Sequence, residues 1–155
     1  MYSEGVTASD DLLKLENQLC FALVTAARNV VAIYRPILEP LGLTHPQYLV
    51  MLALWERAPR TLNDLAADLA LEPATASPLV KRLEADGLVA RQRSSEDERR
   101  LEIMLTDTGR ALRERALDVP RQVMRAVQMD VEEIAALRDG LSAFAGRRTP
   151  SPPPR

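Results

Sequence analysis

The chain has 155 residues, of which 46% are hydrophobic and 27% are charged, and these proportions suit one globular domain with a core of its own. Its formal net charge of −2 argues against a protein that coats nucleic acid indiscriminately, although a balanced total charge is compatible with one basic face. One cysteine and one histidine are too few for a structural zinc site, and a single cysteine cannot form an intramolecular disulfide, so we expect no metal and no cofactor.

The first residues carry no targeting signal that the sequence reveals. Residues 1–9 have no basic start and no small-residue cleavage site after them. The apolar stretch that follows is interrupted by Arg28 and Asn29, which a membrane-spanning helix avoids. We therefore expect a soluble, cytoplasmic protein with a flexible N-terminus and no membrane partner.

The N-terminal third of the chain has the apolar periodicity of helices. From Asp10 to Tyr34 apolar residues recur every three or four positions, which predicts one long helix that ends near Pro36. Thr44 is a suitable N-cap for a second helix, which stops before Pro59.

Two shorter helices follow. The third is predicted to begin at Thr61, and the fourth is closed by Gly87 as a C-terminal cap. The start of the fourth helix is open, because Pro73 suits a first turn but Pro78 then lies inside the helix. Either the first turn is irregular or the helix proper begins near Ser77.

The apolar period changes from 3.6 to 2 after the fourth helix. "LVARQR", the polar "SSEDE" and "RRLEIML" predict a two-stranded hairpin. Thr106 is a suitable cap for the next helix, which Pro120 kinks or breaks, and helix is predicted to continue to roughly Gly146. The proline-rich end is predicted to be disordered.

These elements give a mainly α fold with a small β-hairpin, in the order of a winged helix-turn-helix. The predicted organisation is a flexible N-terminus (1–9), N-terminal sensor and dimerisation helices (10–58), a winged helix-turn-helix DNA-binding region (59–106), C-terminal dimerisation helices (107–146) and a disordered tail (147–155).

Hydroxyls and cations suited to DNA lie in the fourth helix and the hairpin. The candidate DNA-binding residues are Thr75, Ser77, Lys81 and Arg82 on the helix face opposite the leucines, Arg91 and Arg93 on one strand face, and Asp97 and Arg99 at the hairpin tip. Two other interpretations remain open. Helix-turn-helix units occur in proteins that bind no DNA, and arginines at a hairpin tip commonly form only a solvated edge.

The segment "DERRLEIMLTDTG" resembles the wing signature of the MarR family, Asp-x-Arg followed after five residues by Leu-Thr-x-x-Gly. "KLENQLCFAL", "YRPILEPLGLTHPQYLVMLALWE" and "SPLVKRLEADGLVARQRSSEDERR" are similar to the OhrR branch, the organic hydroperoxide sensors of that family, and the resemblance covers roughly residues 10 to 146.

This resemblance implies a homodimeric repressor that releases double-stranded operator DNA when a hydroperoxide oxidises the cysteine of the N-terminal helix. By position, Cys20 is the redox-sensing residue, Arg99 enters the minor groove, and Asp97 braces it. Since the chain has no second cysteine, a small thiol must form the mixed disulfide, as in the one-cysteine subgroup.

The predicted neighbours of the thiol are Tyr34, His45 and Tyr48. Tyr34 matches the relatives, whereas His45 stands where they often carry tyrosine, so His45 is a candidate to stabilise the thiolate. If the first helix is continuous, Tyr34 is roughly 21 Å from Cys20 along the helix axis at about 1.5 Å per residue. A shared site therefore requires two subunits.

Cys20 also has other interpretations. A free cysteine is commonly a small buried hydrophobe, and the protein is then a MarR-type regulator released by a small organic ligand. A thiol peroxidase is a weaker alternative, because no activating base or cation is evident beside the thiol in the sequence. We therefore expect no catalytic residues.

Overall fold

The computed structural model describes residues 7–97 and 99–144, which form a mainly helical fold with one small sheet. The predicted tail (147–155) and the first six residues of the predicted flexible N-terminus lie outside the described residues, and residues 7–9 begin the first helix. In chain order the elements are α1 (Thr7–Leu12), α2 (Leu19–Leu38), α3 (His45–Glu56), β1 (Arg60–Thr61), α4 (Leu62–Asp68), α5 (Pro73–Ala85), β2 (Val89–Arg93), β3 (Leu101–Leu105), α6 (Asp107–Ala116), α7 (Val119–Val127) and α8 (Val131–Leu141), with single 3₁₀ turns at Leu15–Asn17 and Glu39–Leu41.

The prediction of one continuous N-terminal helix is wrong, because the chain breaks between α1 and α2. The side-chain amide of Asn17 donates to the carbonyl of Asp11 at 2.6 Å, and that of Gln18 donates to Leu12 at 2.7 Å. These amides bind the terminal carbonyls of α1 in place of the next helical N–H groups. Helix α2 then runs through Pro36 to Leu38, because a proline in the last turn removes only one helical hydrogen bond.

Threonine hydroxyls begin α3 and α4, as predicted. The hydroxyl of Thr44 accepts from the Gln47 N–H at 3.4 Å, while the Gln47 side chain accepts from the Thr44 N–H at 2.9 Å, which completes a capping box. Thr61 accepts from the Asp64 N–H at 3.1 Å.

Helix α5 begins at Pro73 and continues through Pro78, which settles the start that the sequence left open. Its end is the predicted glycine cap. Gly87 has a positive φ of 76°, a left-handed conformation that favours glycine, and the N–H of Leu88 donates to the carbonyl of Leu83 at 3.0 Å. This tight reversal leads directly into β2.

The predicted hairpin is confirmed, but it belongs to a three-stranded antiparallel sheet with strand order β1-β3-β2. Val89 pairs with Leu105 in the hairpin, and Arg60 of β1 pairs with Ile103. The additional strand, β1, is only two residues long, which is too short for an alternating apolar pattern to predict it.

The C-terminal helices break twice. The break before Pro120 is as predicted, since α6 ends at Ala116. The prediction of unbroken helix to Gly146 is wrong: Gln128 adopts a left-handed conformation with φ of 56°, and residues 145–146 lie outside the described part. Asp130 and Glu133 form a capping box that starts α8, and their Asp-x-x-Glu pattern in the sequence is typical of a helix N-terminus.

The core lies between α3, α4, α5, the sheet and α6, and it extends along α7. Its largest fully buried side chains are those of Leu38, Met51, Leu54, Leu65, Leu83 and Ile103. Helix α2 packs against α7 and α3, yet Leu38 is its only buried residue. Most of this long apolar helix is thus uncovered in the single chain.

Candidate functional site

Helix α5 presents a polar face opposite its buried face. Ala76, Val80 and Leu83 are buried against the core. The predicted DNA-binding residues lie away from it: Thr75, Lys81 and Arg82 are exposed and Ser77 is partly exposed. The helix therefore exposes hydroxyls and cations, which are groups that can bind phosphates and base edges, while its apolar side packs in the core.

The two predicted arginines of β2 share one strand face, and Arg91 is bonded to α5. Arg91 pairs with Ile103 and Arg93 pairs with Leu101 across the hairpin, and residues two apart on a strand lie on the same face, as predicted. The Nη2 of Arg91 lies 3.0 Å from the Glu84 carboxylate, and its Nε and backbone N–H each donate to the same carboxylate at 3.2 Å. The Arg91 guanidinium is therefore held by α5.

Glu84 is the residue that sequence reasoning missed. The hydrogen bonds from Arg91 hold the pKa of Glu84 below its ordinary value, and Glu84 in turn raises the pKa of Arg91. The two residues are seven positions apart, on a helix and on a strand, so neither periodicity indicates their contact.

Hydrogen bonds order the tip of the wing. The buried Ser94 donates its N–H to the carbonyl of Arg100 at 2.8 Å. The carboxylate of Asp97 accepts from the backbone N–H of Arg99 at 3.0 Å, so Asp97 braces the main chain of Arg99 in this structure. The Arg99 side chain is exposed, as a groove-inserting side chain must be.

The Leu-Thr-x-x-Gly signature joins the wing to the body of the domain. The Thr106 hydroxyl donates to the carbonyl of Gly87 at 2.6 Å and accepts from the Gly109 N–H at 3.0 Å. A Cβ on Gly109 would lie 2.0 Å from the carbonyl oxygen of Leu88, so only glycine fits there. Trp55 donates its indole N–H to the carbonyl of Gly109 at 2.9 Å.

Cys20 lies in the first turn of α2 and is exposed. The interpretation of this thiol as filler of the chain's own core is therefore wrong. Its neighbours along the chain include apolar side chains that are also exposed, namely Leu15, Leu19, Phe21, Val24, Val30 and Val31. Such an apolar surface is typical of a protein interface.

The predicted thiol neighbours form an aromatic cluster at the other end of α2. The ring centroids of Tyr34 and His45 are 4.8 Å apart, and those of Tyr34 and Tyr48 are 5.9 Å apart. Burial lowers the pKa of His45 and raises the pKa of Tyr34 and of Tyr48, where the neighbouring Tyr34 adds to the increase. At neutral pH the cluster thus offers two protonated hydroxyls and a neutral imidazole.

The structure does not bring Cys20 to this cluster within one chain. Cys20 and Tyr34 belong to the same continuous helix, so fourteen residues separate them by about 21 Å at about 1.5 Å per residue. The cluster also borders an open groove of about 760 Å³, which His45 and Arg82 both line. The groove lies between the aromatic cluster and α5.

Helix α2 is long, apolar and mostly exposed in the single chain. By length and composition alone, residues Leu19–Leu41 are also able to cross a membrane, in spite of Arg28. One such helix near the N-terminus is weak evidence, because the interface helix of a dimer has the same composition.

Comparison with known proteins agrees with the geometry. The sequence profile described as "Transcriptional regulator SarA/Rot" matches residues 32–115. The "Organic hydroperoxide resistance transcriptional regulator" of Bacillus subtilis is 40% identical over 131 residues, which cover 84% of this chain and 89% of the relative. The "HTH-type transcriptional regulator TtmR" of Methylorubrum extorquens is 42% identical over 138 residues, covering 89% and 71%.

A solved structure gives the same result. "Structure of reduced AbfR bound to DNA" superposes with a TM-score of 0.72 at 34% identity, covering 88% of this chain and 96% of that one. The matches are transcription regulators, and none of these names describes an enzyme. The chain therefore belongs to the MarR/SarA-type family of winged-helix, DNA-binding transcription regulators.

Proposed function

We propose that this protein is a cytoplasmic, homodimeric repressor that senses organic hydroperoxides through Cys20 and then releases its operator. The observation that carries the proposal is the exposure of Cys20 on an uncovered apolar helix, about 21 Å from the aromatic cluster at the other end of the same helix. The similarity to a hydroperoxide resistance regulator supports the class of signal.

A second copy of the chain supplies the missing contact. Two copies related by a two-fold axis, with their α2 helices antiparallel, bring Cys20 of one copy beside the Tyr34–His45 cluster of the other. The same arrangement covers the exposed apolar residues of α2. The tyrosine hydroxyls and the neutral imidazole then donate hydrogen bonds to the thiolate.

The chemistry is a two-electron oxidation of sulfur. The thiolate attacks the terminal peroxide oxygen and the O–O bond breaks, which gives a sulfenic acid and an alkoxide, and the alkoxide takes a proton from solvent to become the alcohol. A small thiol then attacks the sulfenic sulfur, which gives a mixed disulfide and water. Both products add polar bulk at the interface of the two subunits.

This bulk weakens DNA binding through the spacing of the two recognition helices. A dimeric helix-turn-helix protein must place its two α5 helices about one helical turn of DNA apart, roughly 34 Å. The polar face of α5 enters the major groove, and Arg99 enters the minor groove. A change in subunit packing therefore reduces affinity without touching either contact.

The test is a fluorescence-anisotropy titration with the DNA upstream of the protein's own gene. Purified wild type and Cys20→Ser are titrated before and after treatment with a linear alkyl hydroperoxide and a small thiol. We expect oxidised wild type to lose affinity about 10-fold or more, dithiothreitol to restore it, and Cys20→Ser to be unaffected.

Two outcomes contradict the proposal. Peroxide-driven release that persists in Cys20→Ser removes the sensing role from this thiol. Release by a small organic molecule from Cys20→Ser, with no response of the wild type to peroxide, favours the ligand-controlled alternative.

A further inference from the structure

The wing and the recognition helix are joined by an acidic residue on a surface that faces DNA. Glu84 lies in the last turn of α5, three residues after the exposed Lys81. Its carboxylate receives hydrogen bonds from three nitrogen atoms of Arg91, namely Nη2 at 3.0 Å and Nε and the backbone N–H at 3.2 Å. Glu84 thus holds both the side chain and the main chain of β2.

We propose that Glu84 is a positioning residue for operator binding, because it fixes through Arg91 the angle between α5 and the wing. The proposal rests on the proposed function, in which α5 and Arg99 contact DNA together. A negative charge near DNA lowers affinity by repulsion. Glu84 nevertheless raises specific affinity, because the geometry that it maintains outweighs that repulsion.

The length of the wing converts a small rotation at its base into a large displacement at its tip. Arg91 and the tip around Ser95 are four residues apart, about 13 Å at about 3.3 Å per residue. A rotation of about 10° at the base of β2 displaces the tip by about 2 Å, whereas a groove hydrogen bond tolerates only a few tenths of an ångström. A loose base therefore removes the contribution of Arg99.

Other contacts at the base do not replace this one. The Thr106 hydroxyl bonds the carbonyl of Gly87 at 2.6 Å, and β1 pairs with β3, but both hold the returning strand. On the tip, Arg100 is 4.0 Å from Asp64 of α4, and both side chains are more than half exposed. The glycine turn fixes the start of the outgoing strand, where the Leu88 N–H donates to Leu83 at 3.0 Å, and Glu84 fastens the strand to α5 again three residues further on, at Arg91.

Glu84→Gln tests the proposal, and Glu72→Gln is its matched control. Both substitutions remove one negative charge from the same helix with little change in size. The side chain of Glu72, at the N-cap of α5, makes no cap hydrogen bond. Charge repulsion alone predicts that both variants bind every DNA more tightly.

The measurements are affinities for operator and for unrelated DNA of equal length at two salt concentrations. We expect Glu84→Gln to lose about fivefold in operator affinity and nothing on unrelated DNA, while Glu72→Gln binds both at least as tightly as wild type. The exchange Glu84→Arg with Arg91→Glu keeps the total charge, and it should recover most of the loss of either single variant.

The outcomes separate the inference from the function on which it rests. Failure of the wild type to prefer its operator contradicts the proposed function. Operator binding by Glu84→Gln that is equal to or tighter than wild type contradicts only the positioning role, as does an exchanged pair no better than the single variants. Thermal unfolding of each variant shows whether a loss of affinity instead follows loss of the fold.

Discussion

Gly109→Ala is expected to destabilise the protein by about 3–5 kcal/mol, although alanine is the better helix former. A Cβ at this position would lie 2.0 Å from the carbonyl oxygen of Leu88 and 3.0 Å from its carbonyl carbon. Both atoms belong to the main chain that leaves α5, so neither can move aside as a flexible side chain does. The start of α6 must retreat by about 1 Å.

The magnitude follows from the contacts that this retreat disturbs. Three hydrogen bonds meet at this point. The Thr106 N–H donates to the carbonyl of Leu88 at 3.1 Å, the Gly109 N–H donates to the Thr106 hydroxyl at 3.0 Å, and the Trp55 indole N–H donates to the carbonyl of Gly109 at 2.9 Å. Each contributes about 1 kcal/mol, and overpacking adds about 1–3 kcal/mol. The gain in helix propensity offsets about 1 kcal/mol of this loss, which leaves about 3–5 kcal/mol.

The assay is urea unfolding at one fixed protein concentration, followed by circular dichroism and by the fluorescence of Trp55, the single tryptophan. Gly140→Ala is the control, because nothing lies within 4 Å of a Cβ at that position in α8. The control should be more stable than wild type by up to about 1 kcal/mol. If Gly109→Ala instead matches the control, the steric reasoning is wrong.

Four further results are expected. Arg99→Ala should lose about 1–3 kcal/mol of operator binding, and unchanged affinity at physiological salt would refute its place in the groove. Val24→Asp, on the exposed face of α2, should convert a particle of twice 17.2 kDa into a monomer in sedimentation, whereas Ala111→Asp on exposed α6 should not. His45→Ala and Tyr34→Phe should each slow the peroxide oxidation of Cys20 without changing DNA binding by the reduced protein. If the alkylation rate of Cys20 in His45→Ala depends on pH as it does in wild type, His45 has no part in the sensor. Because burial lowers the pKa of His45, the unfolded chain binds more protons near pH 6; wild type should therefore lose more stability than His45→Ala as the pH falls below about 6.5, and parallel curves from urea unfolding would contradict this.

The local pattern of the sequence predicts those parts of the fold that nearest neighbours determine. Thr44, Thr61 and Thr106 start helices because a hydroxyl accepts from an N–H three residues on, and Gly87 ends α5 because its backbone takes a positive φ. The wing signature likewise predicts a winged helix-turn-helix, which the structure and the comparisons confirm.

The same local reasoning fails where a break depends on competition between nearly equal alternatives. The periodicity from Asp10 to Tyr34 is helical throughout, yet the amides of Asn17 and Gln18 bind the carbonyls that would continue α1. Pro78 indicates a boundary by its chemistry, but packing of Val80 and Leu83 against the core keeps it inside α5. A single lost hydrogen bond is smaller than the burial of two apolar side chains.

Contacts between distant parts of the chain were decided by the tertiary structure. Glu84 meets Arg91 because the glycine turn returns β2 along the end of α5, and Gly109 must be glycine because α6 begins against the carbonyl of Leu88. Residue spacing carries no record of such approaches, since they depend on the angles between elements. The sequence by itself predicts that Cys20 and Tyr34 cannot meet within one chain if the helix between them is continuous, at about 1.5 Å for each residue. The structure meets that condition, because α2 is continuous from Leu19 to Leu38.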